Sequence, residues 1–301
     1  MKVMQVLLML AALALLIETV ASDQPQQVLP GCNYTCGDVK IPYPFGIGNS
    51  TQHHTPCYMD SKFNLTCVNN SKLIRGKRIE VLDINLHGQM VMKFFVSHIC
   101  TSSSSTNNNT EEANTPFLTV PSFTISSTEN KFITVGCDSY GYLNSNLKGA
   151  TYSTGCLTRC YDYDPKMVIG KCTGLGCCEV DIPPLMKNIT IETYKFPTST
   201  TSEDRYCGSS FIAKQGSYNF SVRDIKEPPI GTFPLVINWA VTNESCQIAQ
   251  TSENYACKEN SECVHDDPDY DGYRCKCLEG FEGNPYLPGG CTGNKLIIVV
   301  V

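Results

Sequence analysis

The sequence lacks the residue patterns on which most enzymes depend. Its five histidines are scattered, and no Gly-x-Ser-x-Gly, His-Glu-x-x-His or phosphate-binding loop accompanies them. The Val-Ala-Ile-Lys, His-Arg-Asp and Asp-Phe-Gly motifs of protein kinases are absent too. The adjacent His53 and His54 lie in a polar stretch, where solvent-facing side chains are commoner than a metal-binding pair. We therefore expect a protein that is not an enzyme, with no catalytic and no metal-binding residues.

Positive charge is also scarce. The formal net charge is −6 at pH 7, and no region is basic enough to indicate nucleic-acid binding. Residues 246–291 carry nine acidic and three basic side chains, so the excess negative charge is concentrated there.

One short segment runs against this trend. Residues 72–78, KLIRGKR, contain four cations: Lys72, Arg75, Lys77 and Arg78. Such a cluster suits a polyanion, because an arginine guanidinium can form two parallel hydrogen bonds with one carboxylate. The alternative is a solvated strand end that only keeps the protein soluble, and the residues alone leave both interpretations open.

No apolar run reaches the roughly twenty residues that a membrane-spanning helix needs. Lys2, the apolar residues 6–17 and the small residues after them form a secretory signal peptide over residues 1–22, with cleavage expected after Ala21 or Ser22. The apolar end of residues 292–301 is either the start of a truncated membrane segment or the tail of a secreted protein. We expect export through the secretory pathway, with membrane attachment only if the C-terminus is truncated.

Cysteine, in contrast, is abundant. All eighteen cysteines follow the signal peptide, so up to nine disulfides can form in an oxidising compartment. The spacing of Cys32 with Cys36, and of Cys156 with Cys160, would also suit zinc, but export favours disulfides. Cys32 and Cys36 are too close to bridge each other comfortably. The adjacent cysteines at 177–178 are expected to pair outward, because a bridge between neighbours strains the backbone.

Apolar alternation and turn residues predict an all-β, small disulfide-rich fold. A hairpin is expected around the turn at His87 and Gly88, Trp239 is expected in a core, and residues 101–115 read as a polar linker or loop. The predicted strands lie within residues 79–86, 90–96, 117–125, 131–137, 211–222 and 234–241.

Eight Asn-x-Ser/Thr triplets predict a glycosylated surface. The acceptor asparagines are Asn33, Asn49, Asn64, Asn69, Asn108, Asn188, Asn219 and Asn243.

Residues 31–48, GCNYTCGDVKIPYPFGIG, form the most unusual stretch. The prolines fix φ and favour extended neighbours, so residues 41–45 are expected to form a stiff, non-helical rib. Tyr43 and Phe45 alternate with the prolines and are expected on one face of it. The rib can hold these aromatic rings at a surface, or it can be a buried structural strand.

This stretch, followed by Cys57 and by Phe63, Leu65 and Cys67 in an F-x-L-x-C pattern, resembles the galacturonan-binding domain of plant wall-associated receptor kinases. The resemblance implies a domain over residues 32–100 that holds pectin or oligogalacturonides in the plant cell wall. It implies that cations contact galacturonate carboxylates and aromatic rings contact sugar faces. The residues expected in these roles are Lys40, Tyr43, Phe45, Lys72, Arg75, Lys77 and Arg78.

The remaining cysteines fall into two blocks. Residues 116–241 resemble the wall-associated-kinase-type cysteine-rich region. The last six cysteines, separated by 10, 5, 11, 1 and 13 residues, resemble an EGF-like domain over residues 246–291. That resemblance implies the disulfides Cys246–Cys263, Cys257–Cys275 and Cys277–Cys291. The second interpretation of the chain is an apoplastic module that binds a protein partner through this acidic domain.

Some EGF-like domains bind calcium, which prefers oxygen ligands. This one departs from their pattern, because residues 242–245 read TNES and Pro268 stands five residues before Tyr273. We expect no cofactor. The alternative is calcium held by some of four carboxylates, those of Asp266, Asp267, Asp269 and Asp271.

Overall fold

The computed structural model describes residues 26–102, 110–120, 122–147, 150–160, 170, 172–196, 206–265 and 270–293. Several sequence-based expectations lie outside the described residues: the signal peptide, most of the polar linker, Asn108, three of the four candidate calcium ligands (Asp266, Asp267 and Asp269), and residues 294–301.

Among the described residues, strands account for 48% and helices for 5%, which confirms the all-β, disulfide-rich class. The strands are β1 (Thr35–Cys36), β2 (Val39–Lys40), β3 (Gly46–Ile47), β4 (Asn64–Val68), β5 (Lys72–Arg75), β6 (Ile79–Ile84), β7 (Gln89–Phe95), β8 (Ser97–Ser102), β9 (Thr110–Ala113), β10 (Phe117–Leu118), β11 (Phe123–Ile125), β12 (Asn130–Gly136), β13 (Ser139–Leu147), β14 (Ala150–Thr158), β15 (Cys177–Asp181), β16 (Ile189–Lys195), β17 (Tyr206–Lys214), β18 (Thr232–Trp239), β19 (Ser261–Val264), β20 (Arg274–Cys277), β21 (Phe281–Gly283) and β22 (Cys291–Gly293). The described helices are one turn each: a 3₁₀ turn (Ser61–Phe63), α1 (Arg223–Lys226) and α2 (Cys246–Ala249).

A seven-stranded sheet forms the centre, in the order β11-β18-β7-β6-β5-β4-β3. Its pairs are antiparallel except β3 with β4. The hairpin expected around His87 and Gly88 is present as β6 and β7, with a register shift between Val81 and Asp83. A short β10-β16-β13-β14 sheet and a five-stranded β15-β12-β17-β8-β9 sheet complete the larger part of the fold.

Strand pairing crosses the expected boundary between residues 32–100 and residues 116–241. β7 from the first segment pairs along its length with β18 from the second. β8 pairs with β17, where Cys100 lies opposite Cys207 and is bonded to it. Both ends of the expected linker also join the sheet, since β8 reaches Ser102 and β9 begins at Thr110. The two segments therefore share sheets, an arrangement that local alternation in the sequence does not reveal.

The core contains a cluster of aromatic rings drawn from distant parts of the chain. Phe45 packs edge-on against Phe63 at 5.0 Å and against Trp239 at 5.2 Å between ring centroids. Phe63 and Phe123 close the cluster at 6.0 Å. All four side chains are at most 1% exposed. Because such pairs add about 0.5–1.5 kcal/mol each beyond the burial of area, the cluster ties the rib to the central sheet.

Every cysteine is in a disulfide. The EGF-like module has the three pairs that the resemblance implies, and the adjacent cysteines at 177–178 each pair elsewhere, as expected. The four cysteines with zinc-like spacing are bonded to other partners and offer no thiolate. The pairs are Cys32–Cys57, Cys36–Cys67, Cys100–Cys207, Cys137–Cys160, Cys156–Cys178, Cys172–Cys177, Cys246–Cys263, Cys257–Cys275 and Cys277–Cys291.

The EGF-like module is docked onto the rest of the fold. Asn284, fully buried, donates its side-chain amide to the backbone oxygens of Gln27 at 3.0 Å and Tyr43 at 2.7 Å. Arg274 donates to the backbone oxygen of His87 at the hairpin turn. The module therefore packs against both the rib and the central hairpin.

A candidate basic groove

A groove of about 1020 Å³ forms a concave surface on the described part of the protein. One wall comes from the start of β4, from the turn between β5 and β6, and from Phe95 at the end of β7. The other comes from residues 114–120, which include β10. Its volume lies at the upper end of the roughly 300–1,000 Å³ common for ligand sites, which leaves room for more than one sugar residue.

Two cations stand free at the groove wall. Lys77 and Arg78 are exposed in the β5–β6 turn, which Gly76 permits with a φ of +62°. Neither forms an ion pair with any residue in the described part of the chain. Both are therefore available to an anionic ligand.

Arg75 also lines the groove, but its guanidinium already has partners. Its Nη1 donates to the backbone oxygen of Lys62 at 2.6 Å, and its Cζ lies 4.3 Å from the ring centroid of Phe123. Burial lowers the pKa of Arg75 to about 10, partly offset by the Asp60 carboxylate, so the side chain stays charged at pH 7. Arg75 thus shapes the wall and adds positive potential, while its hydrogen-bonding capacity is partly used.

The structure does not bring all the predicted ligand residues together. Lys40 and Lys72 are exposed, yet neither lines the groove. Tyr43 is half-buried against the core, and burial, with a smaller contribution from Asp60, raises the pKa of its hydroxyl. The expected sugar contact of Phe45 is wrong, because its ring is fully buried in the aromatic cluster.

Two other aromatic side chains, which the sequence analysis did not single out, lie at the groove. Phe117 is 74% exposed and Phe95 is 39% exposed, and both line the groove. Phe117 lies opposite Thr190 in the β10–β16 pair, which fixes its position at the sheet edge. In the sequence Phe117 is one apolar residue in a predicted strand, and nothing local marks it as exposed.

Lys62 is a further groove residue that the sequence did not single out. Its Nζ donates to the backbone oxygen of Val241 and lies 3.1 Å from Asp60 Oδ2. Because these contacts hold and partly neutralise the ammonium group, Lys62 is less available to a ligand than Lys77.

The calcium expectation stays a prediction. Asp271, the described member of the four candidate ligands, lies 2.5 Å from Lys187 in an ion pair. No cluster of three or more His, Cys, Asp or Glu side chains suited to a metal occurs among the described residues.

Residues 32–95 match the family model described as wall-associated receptor kinase galacturonan-binding. The chain belongs to the wall-associated receptor kinase family and matches its extracellular part. It is 33% identical over 296 residues to wall-associated receptor kinase 2 of Arabidopsis thaliana and 35% identical over 298 residues to wall-associated receptor kinase 5. These alignments cover 97% of the chain and 38% of each relative, so the chain spans well under half the length of these relatives. No solved structure matches it.

The matched domain supplies one wall of the groove. Arg75, Lys77, Arg78 and Phe95 fall within residues 32–95, whereas the Phe117 wall comes from outside that range. The galacturonan-binding domain is not a catalytic domain. Among the described residues, no helix has the length and apolar character required to cross a membrane.

Proposed function

We propose that the chain is a pectin-binding ectodomain that holds galacturonan in the basic groove. The observation that carries the proposal is that two cations without an ion pair among the described residues, Lys77 and Arg78, line the same groove as the exposed ring of Phe117, and that most of this groove comes from the galacturonan-binding domain. Galacturonate offers a carboxylate on each sugar and an apolar sugar face. Cations and an aromatic ring match these two features.

Affinity in this groove comes from several weak contacts acting together. One exposed ion pair contributes about 0–1 kcal/mol, so a single galacturonate binds poorly. A polymer that reaches Lys77 and Arg78 at once adds these contributions, Arg75 adds positive potential from the wall, and additional sugars meet Phe117 and Phe95. Because the charges are exposed, binding weakens as the Debye length falls from about 10 Å at 0.1 M salt to about 3 Å at 1 M.

The proposal places the chain outside the cell, in the cell wall, without enzymatic activity of its own. The nine disulfides are consistent with an oxidising compartment, and the seven described acceptor asparagines are exposed. No cofactor enters the binding chemistry.

The test compares the secreted, oxidised protein on demethylated and on fully methyl-esterified polygalacturonate. We expect selective binding to the demethylated polymer, lost at about 1 M salt and weakened in a Lys77→Ala/Arg78→Ala variant. Lys40→Ala/Lys72→Ala is the matched control, since it removes the same charge from exposed positions outside the groove. Equal weakening in both variants would mean that net charge, and not the groove, binds the polymer.

A second candidate function is protein binding through the EGF-like module. Residues 246–291 are strongly acidic, and Ile248 and Leu278 are exposed at 58% and 39%. Because the module is docked on the rib and the hairpin, the test uses the whole chain. Partner binding that survives Lys77→Ala/Arg78→Ala but is lost in Ile248→Ser would favour this function.

A further inference from the structure

Asn64 is an acceptor asparagine that lines the groove. It is the first residue of β4, and with Leu65 and Thr66 it forms an Asn-x-Thr triplet. Leu65 is 2% exposed and faces the core, whereas Asn64 and Thr66 are exposed and both line the groove. The two-residue period of a strand explains this split, because alternate side chains point to opposite faces.

The other acceptors lie elsewhere. The structure describes seven of the eight acceptor asparagines, and all seven are exposed. Of these seven, Asn64 is the one among the groove-lining residues. A glycan at this position therefore differs from the rest of the predicted glycosylated surface: it starts inside the proposed binding site.

We propose that Asn64 carries an N-linked glycan that occupies the groove, so that the occupancy of this acceptor sets how much of the groove is open to polymer. The proposal rests on the proposed function, because it assigns regulation to the same site. In the attachment step, Nδ2 of Asn64 displaces the pyrophosphate-linked lipid from C1 of a donor oligosaccharide. A C1–Nδ2 bond forms, the C1–O bond to the pyrophosphate breaks, and the nitrogen loses one proton.

The physical basis is exclusion by a tethered group. An N-linked glycan is bulky, and its attachment keeps it at the groove at a high effective concentration. The apparent dissociation constant then equals the intrinsic one divided by the fraction of molecules with an open groove. A glycan that blocks the groove in nine-tenths of the molecules therefore weakens binding about tenfold. Because the effect is steric, the salt dependence of the remaining binding does not change.

Paired variants separate the glycan from the side chains. Asn64→Gln and Thr66→Ala both destroy the triplet, through different residues, whereas Thr66→Ser keeps it. Asn219→Gln removes an exposed acceptor outside the groove and serves as the control for glycan loss in general. Each protein is secreted from a eukaryotic host, and mass spectrometry of the Asn64 peptide measures occupancy.

Two readouts test the proposal. We expect Asn64→Gln and Thr66→Ala to bind demethylated polygalacturonate several-fold to about tenfold more tightly, with Asn219→Gln unchanged and with Asn64 still glycosylated in Thr66→Ser. We also expect faster amine labelling of Lys77 in Asn64→Gln, with Lys40 labelling unchanged, because the glycan shields only the groove.

The outcomes are distinguishable. An unmodified Asn64 in the secreted wild-type protein overturns the inference, and so does unchanged or weaker binding together with unchanged Lys77 labelling. If no variant binds the polymer while Lys77 labelling still rises in Asn64→Gln, the glycan occupies the groove and the proposed pectin function fails. If binding is selective but insensitive to Asn64 occupancy, the function stands and the regulation does not.

Discussion

Arg75 provides the sharpest test of how the groove is built. Its side chain contributes a charged hydrogen bond to the backbone oxygen of Lys62 and a contact with the Phe123 ring. A hydrogen bond to a charged group contributes about 1.5–3 kcal/mol, and a partly desolvated cation–π contact about 0.5–2 kcal/mol. Arg75→Ala should therefore lower the free energy of unfolding by about 2–5 kcal/mol.

Lys77→Ala/Arg78→Ala should weaken polymer binding and leave the stability of the fold nearly unchanged. Neither side chain has an ion-pair partner in the described part of the chain, so the free energy of unfolding should change by no more than about 0.5 kcal/mol. Two lost contacts of up to about 1 kcal/mol each should weaken polymer binding by up to about 30-fold at low salt.

Denaturant unfolding of the oxidised proteins, followed by the fluorescence of Trp239, measures the first effect. Trp239 suits this assay, because it is the only tryptophan and is buried in the cluster that contains Phe123. The effect on ligand affinity is measured as polygalacturonate binding at low salt, without denaturant and well below the unfolding temperature. Arg75→Ala with wild-type stability and lost binding would refute the reasoning, since Arg75 would then be a ligand contact and not a wall residue.

Two further predictions concern the module interface and a buried amine. Asn284→Ala should destabilise the protein by about 2–4 kcal/mol, because the Tyr43 oxygen loses its side-chain donor, the Gln27 oxygen keeps only the Tyr43 N–H, and the buried Tyr286 N–H loses its acceptor. An unchanged thermal midpoint would contradict this. Burial lowers the pKa of Lys195 to about 8, partly offset by Asp138. In the unfolded chain the lysine pKa is about 10.4, so between pH 8 and that value the unfolded state binds more protons than the folded state. The destabilisation caused by burying the charged amine is therefore complete below pH 8 and is relieved as the pH rises toward the unfolded pKa. Wild-type stability relative to Lys195→Met should therefore rise over that range, and a flat difference would be evidence against the burial.

The parts of the fold that were predictable are those whose signal is local in sequence. The β6–β7 hairpin follows from alternation around His87 and Gly88, and the three disulfides of the EGF-like module follow from the resemblance that its cysteine spacing carries. The pairing of β7 with β18 joins strands that are more than 130 residues apart, and no local pattern specifies it.

The rib at residues 41–45 shows why aromatic residues were harder to assign. Proline-flanked Tyr43 and Phe45 look alike in sequence, and both a surface and a core position are consistent with an extended rib. The position is decided by what packs against it, and Trp239 and Phe63 come from elsewhere in the chain. Phe117 is the reverse case, since its short strand lies at the sheet edge and leaves most of the ring uncovered.

The four cations of the basic cluster lie in different environments, and the two-residue period of a strand explains part of the difference. Leu73 is 1% exposed and faces the core, so the two-residue period puts Arg75 on the same face of β5 and Lys72 on the other. Arg75 accordingly reaches the buried Phe123 ring, whereas Lys77 and Arg78 follow the strand and lie in its turn, where no face is assigned to the core. Counting charges along the sequence treats the four cations as equivalent. The strand period separates Arg75, which faces the core, from the exposed Lys72, Lys77 and Arg78, and the groove lining then separates the two in the turn from Lys72.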